Sequence, residues 1–240
     1  MTHLYLIRHG QAKIAIEEAL VDSGLTALGI KQAERLRDRL AATGEIAADV
    51  LIASTMPRAK QTAEILAPAF DLPLVFDDEV QEWREGKAED LEKISVEEFK
   101  AKSDAVPLEQ KPFFRAVPSS ESWTQFMLRA ATALQRITSE HEGKTIVIIC
   151  HAGIVDCSMI FFFGMSSLQF PKAYFDTHNT SITHWHRRTD GNLPPGWVLE
   201  DYNDAMHLRD IDTPVGIPWR ELARRPVVGS EKSKAATEVE

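Results

Sequence analysis

The sequence predicts an α/β protein, a three-layer α/β/α sandwich with a mostly parallel central sheet. Three observations predict it. Apolar runs at residues 3–7, 49–53, 74–76 and 145–150 have the length of buried strands and are too short for helices. Segments of helical periodicity lie between them, and strands alternating with helices form a mostly parallel sheet covered on both faces. The first and the last of these runs also stop at an imidazole with glycine close behind, His9-Gly10 and His151-Ala152-Gly153. In open α/β sheets the carboxyl ends of the strands are where ligands bind.

Taken in order, the first strand is His3-Leu-Tyr-Leu-Ile7, ending at Arg8-His9-Gly10-Gln11. A loop rich in small and acidic residues follows. Thr26 is the predicted N-cap of a helix to Leu40, with Leu28, Ala33, Leu36 and Leu40 as its inner stripe. The strand 49–53 ends at Ser54-Thr-Met-Pro-Arg58, and Pro57 suits the first turn of a helix running to about Ala69. Arg58 then sits at a helix N-terminus, which already favours anions. Leu74-Val75-Phe76 is a third strand, trailed by Asp77, Asp78, Glu79, Glu82 and Glu85. Ser95-Val-Glu-Glu98 is a capping box for a short helix, and the Pro-containing stretch from Pro107 to Pro118 is read as irregular. A helix over about 120–142 leads into Thr145–Cys150, and another covers 154–163. Residues 181–186 and 196–202 are further strands, joined by a turn-rich segment at 190–195.

Composition narrows the function classes. A hydrophobic fraction of 44% and a charged fraction of 26% are ordinary globular values. The net charge of -9, from 27 basic and 36 acidic residues, argues against a nucleic-acid partner. An acidic protein that binds an anion must gather its cations locally, which makes clustered arginine informative. Two cysteines, Cys150 and Cys157, are too few for a disulfide framework. The strand begins at residue 3 without a basic leader, and the longest apolar run, around 159–165, is far short of a membrane span. The expectation is a cytoplasmic protein with no membrane partner.

Arg8, His9, Arg58 and His151 therefore converge, in prediction, at one sheet edge. Two guanidiniums offer permanently charged forks to phosphate oxygens, and a neutral imidazole can act as nucleophile toward a phosphoryl group. Metal ligation is the competing reading of the two histidines, but adjacent arginines would repel a divalent cation. His184 and His186 share a strand face with no carboxylate or cysteine spacing to complete a set, so no metal and no cofactor is expected. The cysteines do not head a Cys-x5-Arg loop, Asp210 lacks the strand an aspartyl-phosphate enzyme needs, and no Gly-rich loop ends in Lys-Ser/Thr. Charge alone does not select a general acid among Glu79, Glu82 and Glu85.

With these residues in place, the chain resembles the histidine phosphatases, also called the phosphoglycerate-mutase-like superfamily, over residues 3–208. Leu-Ile-Arg8-His9-Gly10-Gln is similar to the family signature. Gly24-Leu-Thr26-Ala-Leu-Gly29-Ile-Lys-Gln32-Ala33, Ser54-Thr-Met-Pro-Arg58-Ala-Lys-Gln61-Thr62-Ala63 and Glu82-Trp-Arg-Glu-Gly86 resemble the segments that follow it. Cys150-His151-Ala152-Gly153, Asn179-Thr-Ser181-Ile-Thr and Asn203-Asp204-Ala-Met-His207-Leu complete the series. The resemblance implies that His9 becomes phosphohistidine while Arg8, Arg58 and His151 bind the transferred oxygens. It also selects Glu82 as general acid, then base.

The chain departs from the family pattern at three places. Ala12 and its loop lack the Ser-x-Trp-Asn of the mutases, Ala152 replaces a commoner glycine, and Gly86 is followed by Lys-Ala-Glu. The resulting expectation is one catalytic domain over 1–225, with 87–118 an irregular insertion or lid over the site, and a disordered tail over 226–240. A phosphomonoesterase acting on a small phosphorylated substrate is the favoured activity. A phosphoglycerate-mutase-like phosphotransferase and a non-catalytic phospho-ligand-binding protein on the same fold are the alternatives.

Overall fold

The computed structural model describes residues 1–14, 22–188 and 195–211. Its centre is a six-stranded sheet built from β1 (His3–Arg8), β4 (Val50–Ser54), β5 (Leu74–Asp77), β6 (Thr145–Cys150), β7 (Ile182–Arg188) and β8 (Gly196–Asp204). The order is β5-β4-β6-β1-β7-β8. The first four strands in that order are mutually parallel, and β7 and β8 extend the sheet antiparallel beyond β1. A separate hairpin pairs β2 (Ala12–Ile14) with β3 (Asp22–Leu25), an element the sequence reading left as loop. Both strands are too short to show an alternating pattern.

The period-2 alternation of the strands divides the core in two. Leu4 and Leu6 of β1, with Ile146 and Ile148 of β6, face one layer of helices, α5 (Trp123–Glu140) and α6 (Ala152–Phe162). Ile7, Val147, Ile149 and Leu51 face the other layer, α1 (Ala27–Thr43) and α2 (Pro57–Leu66). The central strands bury both faces, which explains why they read as continuous apolar runs. Burying each such side chain contributes about 1.5–3 kcal/mol.

The helix boundaries follow from capping chemistry. Thr26 caps α1 as predicted, accepting from the Gly29 amide, but the helix continues to Thr43 and ends at Gly44 in the left-handed conformation. Within α1 the buried stripe is Gly29, Gln32, Ala33, Leu36 and Leu40, with Leu28 only half-buried. The helix predicted from residue 120 starts instead at Trp123, because Ser122 and Gln125 form a reciprocal capping box. The capping box at Ser95 is present and opens α4 (Val96–Asp104).

The segment 87–118 is less irregular than expected. It holds a short helix, α3 (Ala88–Leu91), and α4, with an acidic first turn in each. Its two ends meet, since the Lys87 amide donates to Ser119 Oγ at 2.9 Å. The predicted tail, 226–240, and most of the turn-rich segment, 190–195, lie outside the described residues.

One close approach locks the end of β1 to α1. A Cβ on Gly29 would lie 2.0 Å from the Gln11 carbonyl oxygen, and one on Gly10 would lie 2.5 Å from the Gly29 carbonyl oxygen. Both obstacles are backbone and cannot swing away. Gly29→Ala is therefore expected to lower stability by about 1–3 kcal/mol or more, read from the midpoint of urea unfolding. An unchanged midpoint would show that the turn after β1 does not rest on the first turn of α1.

Candidate active site

β1 and β6 run side by side with Arg8 opposite Cys150. The next residue on each strand is a histidine, and the His9 amide continues the ladder to the Cys150 carbonyl at 2.9 Å. The two imidazole centroids are 5.1 Å apart. The chain around His9 is tied from three sides. Gly10 N–H donates to Thr62 Oγ1 of α2 at 3.0 Å, Asn179 Nδ2 donates to the His9 carbonyl at 2.9 Å, and Thr180 N–H donates to the Arg8 carbonyl at 2.9 Å.

The protonation of His9 can be read from its partners. Nδ1 lies 2.7 Å from the Gly10 carbonyl oxygen, which can only accept, so Nδ1 carries the hydrogen. Nε2 receives the Arg58 Nε–H at 3.0 Å, which requires a lone pair there. His9 is thus the neutral Nδ1–H tautomer with Nε2 turned toward a guanidinium. Burial, then Arg58 and Arg8, hold its pKa well below the ordinary 6.5. His151 is fully buried, with Nε2 2.7 Å from Ser54 Oγ and Nδ1 unpartnered. Burial and then His9 and the same arginines depress its pKa as well.

The arginines are anchored differently. Arg58 stands at the second position of α2, behind Pro57, and donates Nη1 to Asp22 Oδ2 at 2.8 Å. Its backbone amide leans on the same oxygen at 3.4 Å. Arg8 is only 6% exposed; its Nη1 donates to the Thr177 carbonyl and its Nε has no partner. Burial lowers its pKa and Glu82 opposes that shift, but a guanidinium stays charged.

Glu82 is the candidate acid that hydrogen-bonds into the histidine edge, while Glu85, its pKa raised by burial, lies near enough for Arg58 and Glu82 to act on its charge. Glu82 Oε2 accepts from the Gly153 amide in the first turn of α6 at 3.1 Å, and Oε1 accepts from the Trp83 amide at 3.0 Å. A Cβ on Gly153 would come within 2.1 Å of Oε1, so this approach needs glycine there. Glu79 turns to Arg84 at 3.5 Å, and Glu85 keeps part of its surface exposed.

The loop that carries Glu82 is clamped by Arg129 of α5. That guanidinium donates to the Glu79, Gln81 and Glu82 carbonyls at 2.7, 3.1 and 3.1 Å and pairs with Glu121 at 2.7 Å.

The other candidates fall elsewhere. His184 bonds to His3 at 3.0 Å and stacks on Tyr5, while His186 lies 3.3 Å from Glu200; both sit along β7 and away from the strand end at Arg8. No group of three His, Cys, Asp or Glu among the described residues could hold a metal. Both cysteines are buried and free, and burial pushes the Cys157 thiol up to about 12 and Cys150 higher still. Neither supplies a thiolate near neutral pH. No helix among the described residues is long and apolar enough to cross a membrane.

Asp22 and Arg129 are absent from the sequence reading of the site. Asp22 belongs to an acidic loop with nothing local to single it out, and Arg129 reads as one more polar residue on a helix. What the arrangement offers is two cations, a neutral nucleophilic imidazole, a second imidazole and a carboxylate around one point. That set suits a tetrahedral dianion and a leaving oxygen.

Comparison with known proteins agrees with this geometry. The family model of the histidine phosphatase superfamily (branch 1) matches residues 4–204. A Proteus mirabilis protein named probable phosphoglycerate mutase GpmB is 26% identical over 214 residues, covering 88% of this chain and 97% of that one. The structure of Bacillus stearothermophilus YhfR superposes with a TM-score of 0.64 at 29% identity, covering 87% of this chain and all of that one. A phosphoserine phosphatase from Entamoeba histolytica, solved with phosphoserine, has the same fold, with a TM-score of 0.63, 24% identity and the same coverage. A mixed sheet whose parallel strands end in Arg8-His9 and His151, matched by the family over almost its whole described length, makes this chain a member of the histidine phosphatase superfamily.

Proposed function

We propose that the chain is a phosphomonoesterase that works through a phosphohistidine at His9. The observation that carries this reading is the tautomer of His9. Its Nε2 lone pair is uncovered by a proton and held beside Arg58, with Nδ1–H committed to the Gly10 carbonyl. Arg58 shifts its Nε–H from Nε2 to a phosphate oxygen, and the freed lone pair attacks, forming the Nε2–P bond as the ester P–O bond breaks. The departing oxygen takes a proton from Glu82, and Arg8, Arg58 and His151 hold the three equatorial oxygens. A water then gives its proton back to Glu82 and attacks phosphorus, the P–N bond breaks, and phosphate leaves. The Nδ1–H bond to Gly10 persists throughout and stabilises the positive charge of the phosphorylated ring.

Phosphatases among the structural neighbours support hydrolysis. The name of the Proteus relative favours a mutase as second reading. The chain lacks the Ser-x-Trp-Asn run after Gln11 that resemblance associates with mutases, which weighs toward phosphate release. Measuring free phosphate against isomerised product from the same phosphoglycerate separates the two.

Three outcomes follow from this mechanism. In 15N NMR spectra of the free protein at pH 6, His9 should give the signals of a neutral Nδ1–H ring. A pKa depressed below 6.5 keeps the imidazole neutral as pH falls through 6.5, and the unfolded chain then binds more protons than the folded one. Stability should accordingly decline below pH 6.5. An imidazolium spectrum for His9 at pH 6 would contradict the mechanism.

Acid quenching during turnover of a 32P-labelled ester should trap acid-labile, base-stable label that His9→Ala abolishes along with phosphate release. Acid-stable label, or normal turnover by His9→Ala, would reject the imidazole nucleophile.

Glu82→Gln should slow release from an alkyl phosphate by roughly 10²–10⁴-fold. It should slow p-nitrophenyl phosphate much less, because nitrophenolate leaves without a proton. Equal small losses on both, with a large selective loss in Glu79→Gln or Glu85→Gln, would move the acid to that neighbour.

A further inference from the structure

Beside the histidine edge lies a cavity of about 210 Å³ that the mechanism does not use. Its walls are aromatic: Trp83, Trp123, Phe170 and Phe175, with exposed Tyr174 among the lining residues. Trp83 and Trp123 meet edge to face with centroids 5.8 Å apart, and Trp123 and Phe170 approach to 5.3 Å. A single ionisable group, Asp156 of α6, joins these walls, and its buried Oδ1 has no hydrogen-bond partner. The cavity adjoins the Glu82 side of the site. Trp83 directly follows Glu82, and Asp156 lies close enough to Glu82, Arg8 and Asp176 for each to act on its charge.

We infer that this cavity receives the alcohol portion of the substrate, and that the portion it takes is an alkylammonium group. The inference rests on the phosphomonoesterase reading for the position of the phosphate, and on the cavity walls for the cation. Aromatic faces attract a cation through the ring quadrupole, and they do so for a quaternary ammonium without demanding hydrogen bonds. A carboxylate with an unpartnered oxygen completes the complement for positive charge. An uncharged aryl or alkyl group would satisfy the rings but bring no positive charge to the Asp156 carboxyl. A leaving group with its own carboxylate, as in phosphoserine or phosphoglycerate, would bring negative charge to a cavity whose acidic side chain is Asp156.

Burial and then Glu82 push the Asp156 carboxyl up to about 7, so an arriving cation would draw it into the charged form. The volume lies below the roughly 300–1,000 Å³ of sites for drug-sized ligands, which suits a small head group.

The test compares phosphocholine with 3,3-dimethylbutyl phosphate, in which a carbon replaces the nitrogen and the shape is unchanged. Binding is measured by calorimetry on full-length His9→Ala, which holds each ester uncleaved and removes any influence of leaving-group reactivity. Phosphocholine should bind roughly tenfold tighter or better, and adding Asp156→Asn or Trp123→Leu should bring the two ligands close to equal affinity. Reading the ratio within each variant cancels any general weakening from altered folding. Equal or tighter binding of the neutral ester, a preference that survives Asp156→Asn, or binding of neither ester would overturn the inference. Phosphate release by the wild-type protein is scored separately. Release from p-nitrophenyl phosphate with no cation preference rejects the cavity assignment alone, whereas cation preference without any release rejects the phosphatase reading alone.

Discussion

Arg8 of β1 lies opposite Cys150 of β6, and the whole catalytic edge depends on that register. Side chains alternate across a strand, so a slip of one residue would carry Leu4, Leu6 and Ile7 to the wrong helical layers. The same slip would separate His9 from His151. Burial of both faces of β1 and β6 sets the register, because each face has its own set of apolar partners. Core packing and imidazole placement are thus one constraint.

An acidic chain assembles a phosphate site here by fixing its cations individually. Arg58 is held by Asp22 and by its position in the first turn of α2, while Arg8 is held by burial and one carbonyl. Burial, and then both arginines, keep the adjacent imidazoles neutral. Under the proposed mechanism, a phosphate dianion would bring the negative charge that faces both guanidiniums. The neutral ring is also the form that can attack phosphorus. One electrostatic arrangement accounts for both binding and nucleophilicity.

The acid side of the site is positioned through backbone. Gly153 lets the Glu82 carboxylate reach an amide in the first turn of α6, and Arg129 gathers the Glu79, Gln81 and Glu82 carbonyls of the loop that carries it. Arg129 holds the loop by its backbone, and its charge also helps to lower the His151 pKa. The same first turns of α6 place Asp156 in the aromatic cavity, so the acid and the neighbouring pocket share one support.

By itself the sequence determined the strands of the central sheet, the helices with strong caps, and the residues at the strand ends. Apolar runs such as Thr145–Cys150 and caps such as Thr26 and Ser95 act over a few neighbours, and local chemistry is legible locally. Arg8, His9, Arg58 and His151 were legible for the same reason, as polar residues closing apolar runs or opening a helix. The helix read from about residue 120 starts at Trp123, because the Gln125 side chain completes a capping box with Ser122. Tertiary structure alone decided which carboxylate meets Gly153, that Asp22 pairs with an arginine 36 residues away, and that Arg129 clamps a loop instead of facing solvent. It also decided that Asp156, one acid within an apolar helix, faces four aromatic rings contributed by distant segments. These contacts join residues far apart in the chain, and their strength depends on burial, which only the folded arrangement of the layers creates.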